Sequence, residues 1–212
     1  MSLVLKVNTK NNKIEESIES MSSRFCKELE KFWGVKLKYE PIIFLLKSRE
    51  EINTIRRQET DDKLVGWFWN KRFIFILAPD KFKKESAFLK EDFEVILKHE
   101  LSHFFFYMIT QGNVPAWIDE GLACHLAGQK YKENINEAEI TKLMECFYSF
   151  DRQLFAISSQ TVQKLIKLKG KNIFVNFVKN FDRHINEKSF KKLFKQSFDI
   201  DFNKSGIYKL LK

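Results

Sequence analysis

The sequence predicts an α+β fold: a small mixed sheet within the first 80 residues, a buried helix near the middle and a helical remainder. Three observations carry this. Residues 35–47, 64–69 and 72–78 are alternating or continuous apolar runs rich in β-branched and aromatic side chains, which read as strands. Residues 92–109 are apolar nearly all round, with Phe93, Val95, Ile96, Leu97, Leu101, Phe104, Phe105, Phe106 and Met108, as suits a helix inside a protein. Beyond residue 136 the chain reads as helices alone.

The elements follow in order. Leu3–Val7 is a candidate short strand. Ile14, Ile18, Met21, Phe25, Leu29 and Phe32 recur every three or four residues, which predicts an amphipathic helix to Trp33 that Gly34 terminates. Residues 35–47 alternate and then become continuously apolar, as a strand entering the core does. Ser48 with Glu51 is a capping box opening a short helix. Asn70-Lys71 separates the next two strands as a two-residue hairpin turn, and Pro79-Asp80 closes the second of them. After the buried helix, Gly112 and Pro115 mark a loop, and a helix runs from Ala116 to about Gly128. The predicted helices beyond are 136–150, 159–181 with a break near Gly170, 187–196 and 205–211. The expectation is one unit spanning 1–212, an α+β lobe over 1–110 and a helical lobe over 111–212.

Composition narrows the class. The chain has 212 residues, 44% of them hydrophobic and 31% charged, which fits a globular protein and not a disordered one. No apolar run approaches the roughly 18 residues of a membrane helix. No signal peptide is visible, so a cytoplasmic setting is expected. The three cysteines, Cys26, Cys124 and Cys146, form no CxxC pair and suit reduced thiols. The net charge of +9 raises nucleic acid as a partner, but the lysines are spread along helix faces without a recognition motif.

Chemistry concentrates at His99-Glu100-Leu101-Ser102-His103, an H-E-x-x-H. On a helix, positions i and i+4 share a face, so both imidazoles can reach one metal ion. Glu100, one residue round from His99, can hold the metal-activated water and accept its proton. Two histidines and a carboxylate inside an apolar helix are costly without a partner, and a metal supplies one. The best third ligand is Glu120, seventeen residues past His103, carried back by the turn at Gly112 and Pro115 on a second helix. Position 106 is Phe and 109 is Ile, so the longer motif with a third histidine is absent.

H-E-x-x-H followed at this distance by Trp117-Ile118-Asp119-Glu120-Gly121-Leu122-Ala123 resembles the gluzincin metallopeptidases, the thermolysin and aminopeptidase-like group. The resemblance spans about residues 64–128. It implies a zincin-like fold with an edge hairpin packed on the active-site helix, and one Zn²⁺ per chain held by His99, His103 and Glu120. It further implies Glu100 as general base, and peptide or protein substrates cut by metal-activated water without a covalent intermediate. Gly66, Trp67 and Phe68 then correspond to the edge strand that pairs with substrate. Family members add a Tyr or His that stabilises the oxyanion. The region near Ser158-Ser159-Gln160 has neither, which leaves Tyr148, His184 and Tyr131 as substitutes.

Further residues have two readings each. Asp119 can hydrogen-bond a ligand histidine or be a solvated carboxylate. Cys124 can approach the metal or be a small buried thiol, and His125 reads as a helix-face residue or a support to the ligands rather than as a ligand itself. Trp67, Phe68 and Trp69 can line a cleft or belong to the core. Two other functions stay open: a metal-binding but catalytically degenerate zincin-fold regulatory or scaffold protein, and a basic nucleic-acid-associated protein.

Overall fold

The sheet is mixed and four-stranded, in the order β1-β2-β4-β3, with β1 at Lys6–Val7, β2 at Ile42–Leu46, β3 at Gly66–Trp69 and β4 at Phe73–Leu77. β2 is parallel to β1 and β4, while β3 is antiparallel to β4 and forms an edge of the sheet. This computed structural model describes residues 6–7, 12–112, 115–131, 135–149, 151–181 and 185–212, with backbone alone at residues 6, 7 and 12. The first part of the predicted Leu3–Val7 strand, residues 3–5, lies outside that set.

The predicted hairpin turn is present. Asn70 and Lys71 have φ of 47° and 68°, the left-handed pair that a two-residue turn matched to strand twist demands. Alternation then sorts the side chains. Ile43, Ile74 and Ile76 are fully buried on one face, where Phe68 meets Phe104 edge-on. On the other face Phe44, Phe75 and Trp67 share a row, their rings stacked at successive spacings of 5.0 Å. The Arg56 guanidinium lies 5.5 Å from the Trp67 ring.

Helix α1, Asn12–Trp33, buries Ile18, Phe25, Leu29 and Trp33 and stops at Gly34, whose φ is 63°. The strand predicted over 35–47 is shorter, because β2 begins only at Ile42. Backbone groups that a sheet would need are taken by side chains instead: the Leu37 N–H donates to Glu30 Oε1, and the Glu40 carbonyl accepts from Arg72 Nε. Helix α2, Arg49–Arg56, is capped by Ser48 Oγ, which accepts from the Glu51 N–H as the capping box predicts. The Glu51 carboxylate reaches back one residue further, to the Lys47 N–H. Arg49 holds the approach to β3 by donating to the carbonyls of Asp62, Leu64 and Glu85.

A short helix α3, Phe82–Glu85, was not predicted; it buries Phe82. Helix α4, Phe93–Thr110, follows a single 3-10 turn in which the Asp92 carboxylate accepts from the Leu89 N–H. The chain divides into two compact units, residues 1–104 and 105–212, and α4 runs through the division.

The second unit is helical among its described residues. It contains α5 (Ala116–Ala127), α6 (Glu137–Glu145), α7 (Phe155–Lys169), α8 (Lys171–Lys179), α9 (Glu187–Phe198) and α10 (Lys204–Leu211). The expected break near Gly170 falls between α7 and α8, where Gly170 has φ 85°. α6 ends at Glu145, five residues short of the predicted end, because the Phe147 carbonyl turns to accept the Ala116 N–H at the start of α5. α7 starts four residues earlier than predicted, behind an Asp151-capped 3-10 turn. Phenylalanine builds this core: Phe174, Phe177, Phe190, Phe194 and Phe198 are buried, and Trp117 stacks on Phe202 at 5.6 Å and 5°.

Candidate metal centre

Helix α4 sets the histidines. Leu97, Leu101, Phe104 and Phe105 are fully buried, so the helix cannot turn its polar residues to water. His99, Glu100, Ser102 and His103 are accordingly buried as well. Ser102 satisfies itself by donating to the Lys98 carbonyl one turn back. The i, i+4 spacing brings His99 Nε2 and His103 Nε2 to 3.0 Å, with the rings at 82°. Two ligands on a tetrahedral zinc at about 2.0–2.1 Å stand roughly 3.3–3.4 Å apart, so the pair needs only a few tenths of an ångström to grip an ion.

Glu120 lies in the early part of α5, the helix that follows α4 through residues 111–115. His99, His103 and Glu120 each offer one ligand atom, and those atoms lie within 4.8 Å of one another. Among the described residues this is the one group of three or more such side chains with that geometry. The donor set, two imidazole nitrogens and a carboxylate oxygen, fits zinc with a fourth position available.

Gly121 accounts for the way α5 is held. A Cβ there would stand 2.4 Å from the Ser158 carbonyl oxygen and 2.6 Å from its carbon. Only glycine permits α5 and α7 to approach so closely beside Glu120. The sequence offered one signal of this, a glycine inside a predicted helix at a cost of about 1 kcal/mol relative to alanine.

Gly66 is the counterpart at Glu100. On edge strand β3, a Cβ at Gly66 would meet Glu100 Cγ and Oε1 at 3.3 Å and the Phe75 carbonyl at 3.4 Å. Extended backbone therefore runs directly past the Glu100 carboxylate. Phe68 shares that sheet face and touches α4, whereas Trp67 points to the opposite face, into the aromatic row.

The remaining predicted residues are placed as follows. Asp119 is half-buried in the first turn of α5, where its charge suits the helix N-terminus, and it does not belong to the three-ligand group. Cys124 is buried and also outside that group; its Sγ lies 3.4 Å from the Tyr131 hydroxyl. Tyr131 stacks on Phe155 at 6.1 Å, and burial, above all, keeps its hydroxyl protonated. Tyr148 is 59% exposed and donates its hydroxyl to the Ile185 carbonyl at 2.9 Å. Burial lowers the His125 pKa and favours neutral imidazole. His184 lies outside the described residues.

No family profile, curated protein or solved structure matches the chain. No helix among the described residues is long and apolar enough to cross a membrane.

Proposed function

We propose that this chain is a zinc-dependent peptidase of the zincin-like type, resembling gluzincins, that hydrolyses peptide bonds with Glu100 as general base. The observation that carries the reading is the gathering of His99, His103 and Glu120, with ligand atoms within 4.8 Å of one another, around a buried helix that also presents Glu100. A zinc ion bound there supplies Lewis acidity, polarising a carbonyl and lowering the pKa of water toward neutrality.

The chain's own residues do the rest. Glu100 accepts the proton of the attacking water and returns it to the departing amine. Its burial strengthens the proton's coupling to the reacting atoms, because little solvent screens them. Edge strand β3 offers a template on which an extended peptide can add as a further strand, with the Gly66 backbone beside Glu100. The three free cysteines suit a reducing compartment, and we place the activity in the cytoplasm.

The test is cleavage of a quenched-fluorescent peptide library by zinc-loaded protein. Wild type should cleave, and Glu100→Gln should retain zinc while losing about 10²–10⁴-fold in rate. Full activity in zinc-loaded Glu100→Gln refutes the assigned role. A zinc-loaded wild type that cleaves nothing would favour the non-hydrolytic scaffold reading.

A further inference from the structure

Charge is unevenly distributed along the chain. Residues 161–212 carry 13 Lys and Arg against 4 Asp and Glu, a balance of +9 that equals the charge of the whole chain, so residues 1–160 are neutral. All of this excess lies in the second unit, from α7 to the C-terminal end.

Within it, one corner combines charge with apolar surface. α7 and α8 meet at Gly170, and every residue from Lys167 to Ile173 is exposed. The run is Lys167-Leu168-Lys169-Gly170-Lys171-Asn172-Ile173, with Leu168 53% and Ile173 41% exposed. A single exposed leucine is unremarkable. Two large aliphatic side chains are thus exposed within one short corner of chain that also carries three lysines. Asp199 and Asp201, the acidic groups bordering the hollow beside Leu168, both pair with Lys195. Among the described residues, Lys167 and Lys169 make no ion pair.

We infer that the α7–α8 corner docks this chain on an anionic lipid bilayer. The ammonium groups of Lys167 and Lys169 meet lipid phosphates and carboxylates, while Leu168 and Ile173 enter the boundary between headgroups and acyl chains. The chemistry favours lipid over nucleic acid. The segment has 12 Lys and only one Arg, and its one exposed aromatic ring among the described residues, Tyr208, has Lys212 Nζ 4.2 Å from its centroid. Bidentate phosphate recognition and base stacking call for the opposite composition. Association is peripheral, since no described helix can cross a membrane. The inference is independent of the metal centre.

Cosedimentation of the full-length chain with vesicles tests it, using phosphatidylcholine alone and phosphatidylcholine mixed with phosphatidylserine. Binding should require phosphatidylserine and weaken with salt. Lys167→Gln with Lys169→Gln should weaken it roughly twenty- to thirtyfold, at about fivefold per charge. Leu168→Gln with Ile173→Gln, which keeps every lysine, should weaken it about tenfold or more. All four positions are on the surface, and circular dichroism of each variant verifies folding. Absence of binding to phosphatidylserine vesicles at low salt overturns the inference. So does binding indifferent to Leu168 and Ile173, or tighter retention on duplex DNA that depends on the lysines alone.

Discussion

Replacing Gly121 by alanine tests how Glu120 is held. The new Cβ would lie 2.4 Å from the Ser158 carbonyl oxygen, 2.6 Å from its carbon and 3.0 Å from Val162 Cγ2. Ordinary carbon–oxygen contacts run about 3.3 Å or more, so α5 and α7 must part by about 0.9 Å. The obstacle is backbone, which cannot swing aside as a side-chain end can. Overpacking against backbone falls in the upper part of the usual range, about 2–3 kcal/mol, offset in part by alanine's helix preference of about 1 kcal/mol over glycine. A net loss of about 1–2 kcal/mol lowers Tm by roughly 2–8 °C for a chain of this size. Far-UV circular dichroism melts of wild type, Gly121→Ala and Gly121→Ser read it, with the serine variant at least as destabilised as the alanine. A Gly121→Ala protein melting at or above wild type would refute the close approach, because helix preference alone would then be acting.

Two further perturbations address the proposed general base, Glu100, and the core. Gly66→Val places branched carbon where even a Cβ stands 3.3 Å from Glu100 Oε1. It should lower kcat/KM on peptide at least tenfold while leaving zinc content unchanged, which elemental analysis beside steady-state kinetics will show. Burial, aided by the charges of Glu30 and Glu40, pushes the Cys26 thiol up to about 12. In the unfolded chain that thiol ionises near its ordinary value of 9.0, whereas the folded form keeps its proton until about 12. Stability therefore falls as pH rises through that window, and Cys26→Ala should flatten the alkaline decline in urea midpoint.

Much of the architecture was legible because single features dictated it. Asn70-Lys71 between two apolar runs gave the hairpin, and Gly170 marked the break between α7 and α8. The grouping of His99, His103 and Glu120 was legible through spacing on one helix and a carboxylate on the next. The misreadings have identifiable causes. Val35, Leu37 and Tyr39 alternate like a strand, yet a side chain, Glu30, takes the Leu37 N–H. α6 stops early because the Phe147 carbonyl serves the start of α5, a tertiary demand invisible to periodicity. Distances between chain-distant atoms were beyond reach too. The pairing of Cys124 with Tyr131 and the passage of Gly66 beside Glu100 depend on how whole elements pack.

The peptidase activity proposed for this chain rests on His99, His103 and Glu120 holding one zinc ion. Elemental mass spectrometry on untagged wild type, His103→Ala and Glu120→Ala tests it most directly. Near one zinc per wild-type chain is expected, with most of it lost in both variants while circular dichroism shows them folded. A well-folded wild type that purifies without zinc and refuses added zinc would contradict it.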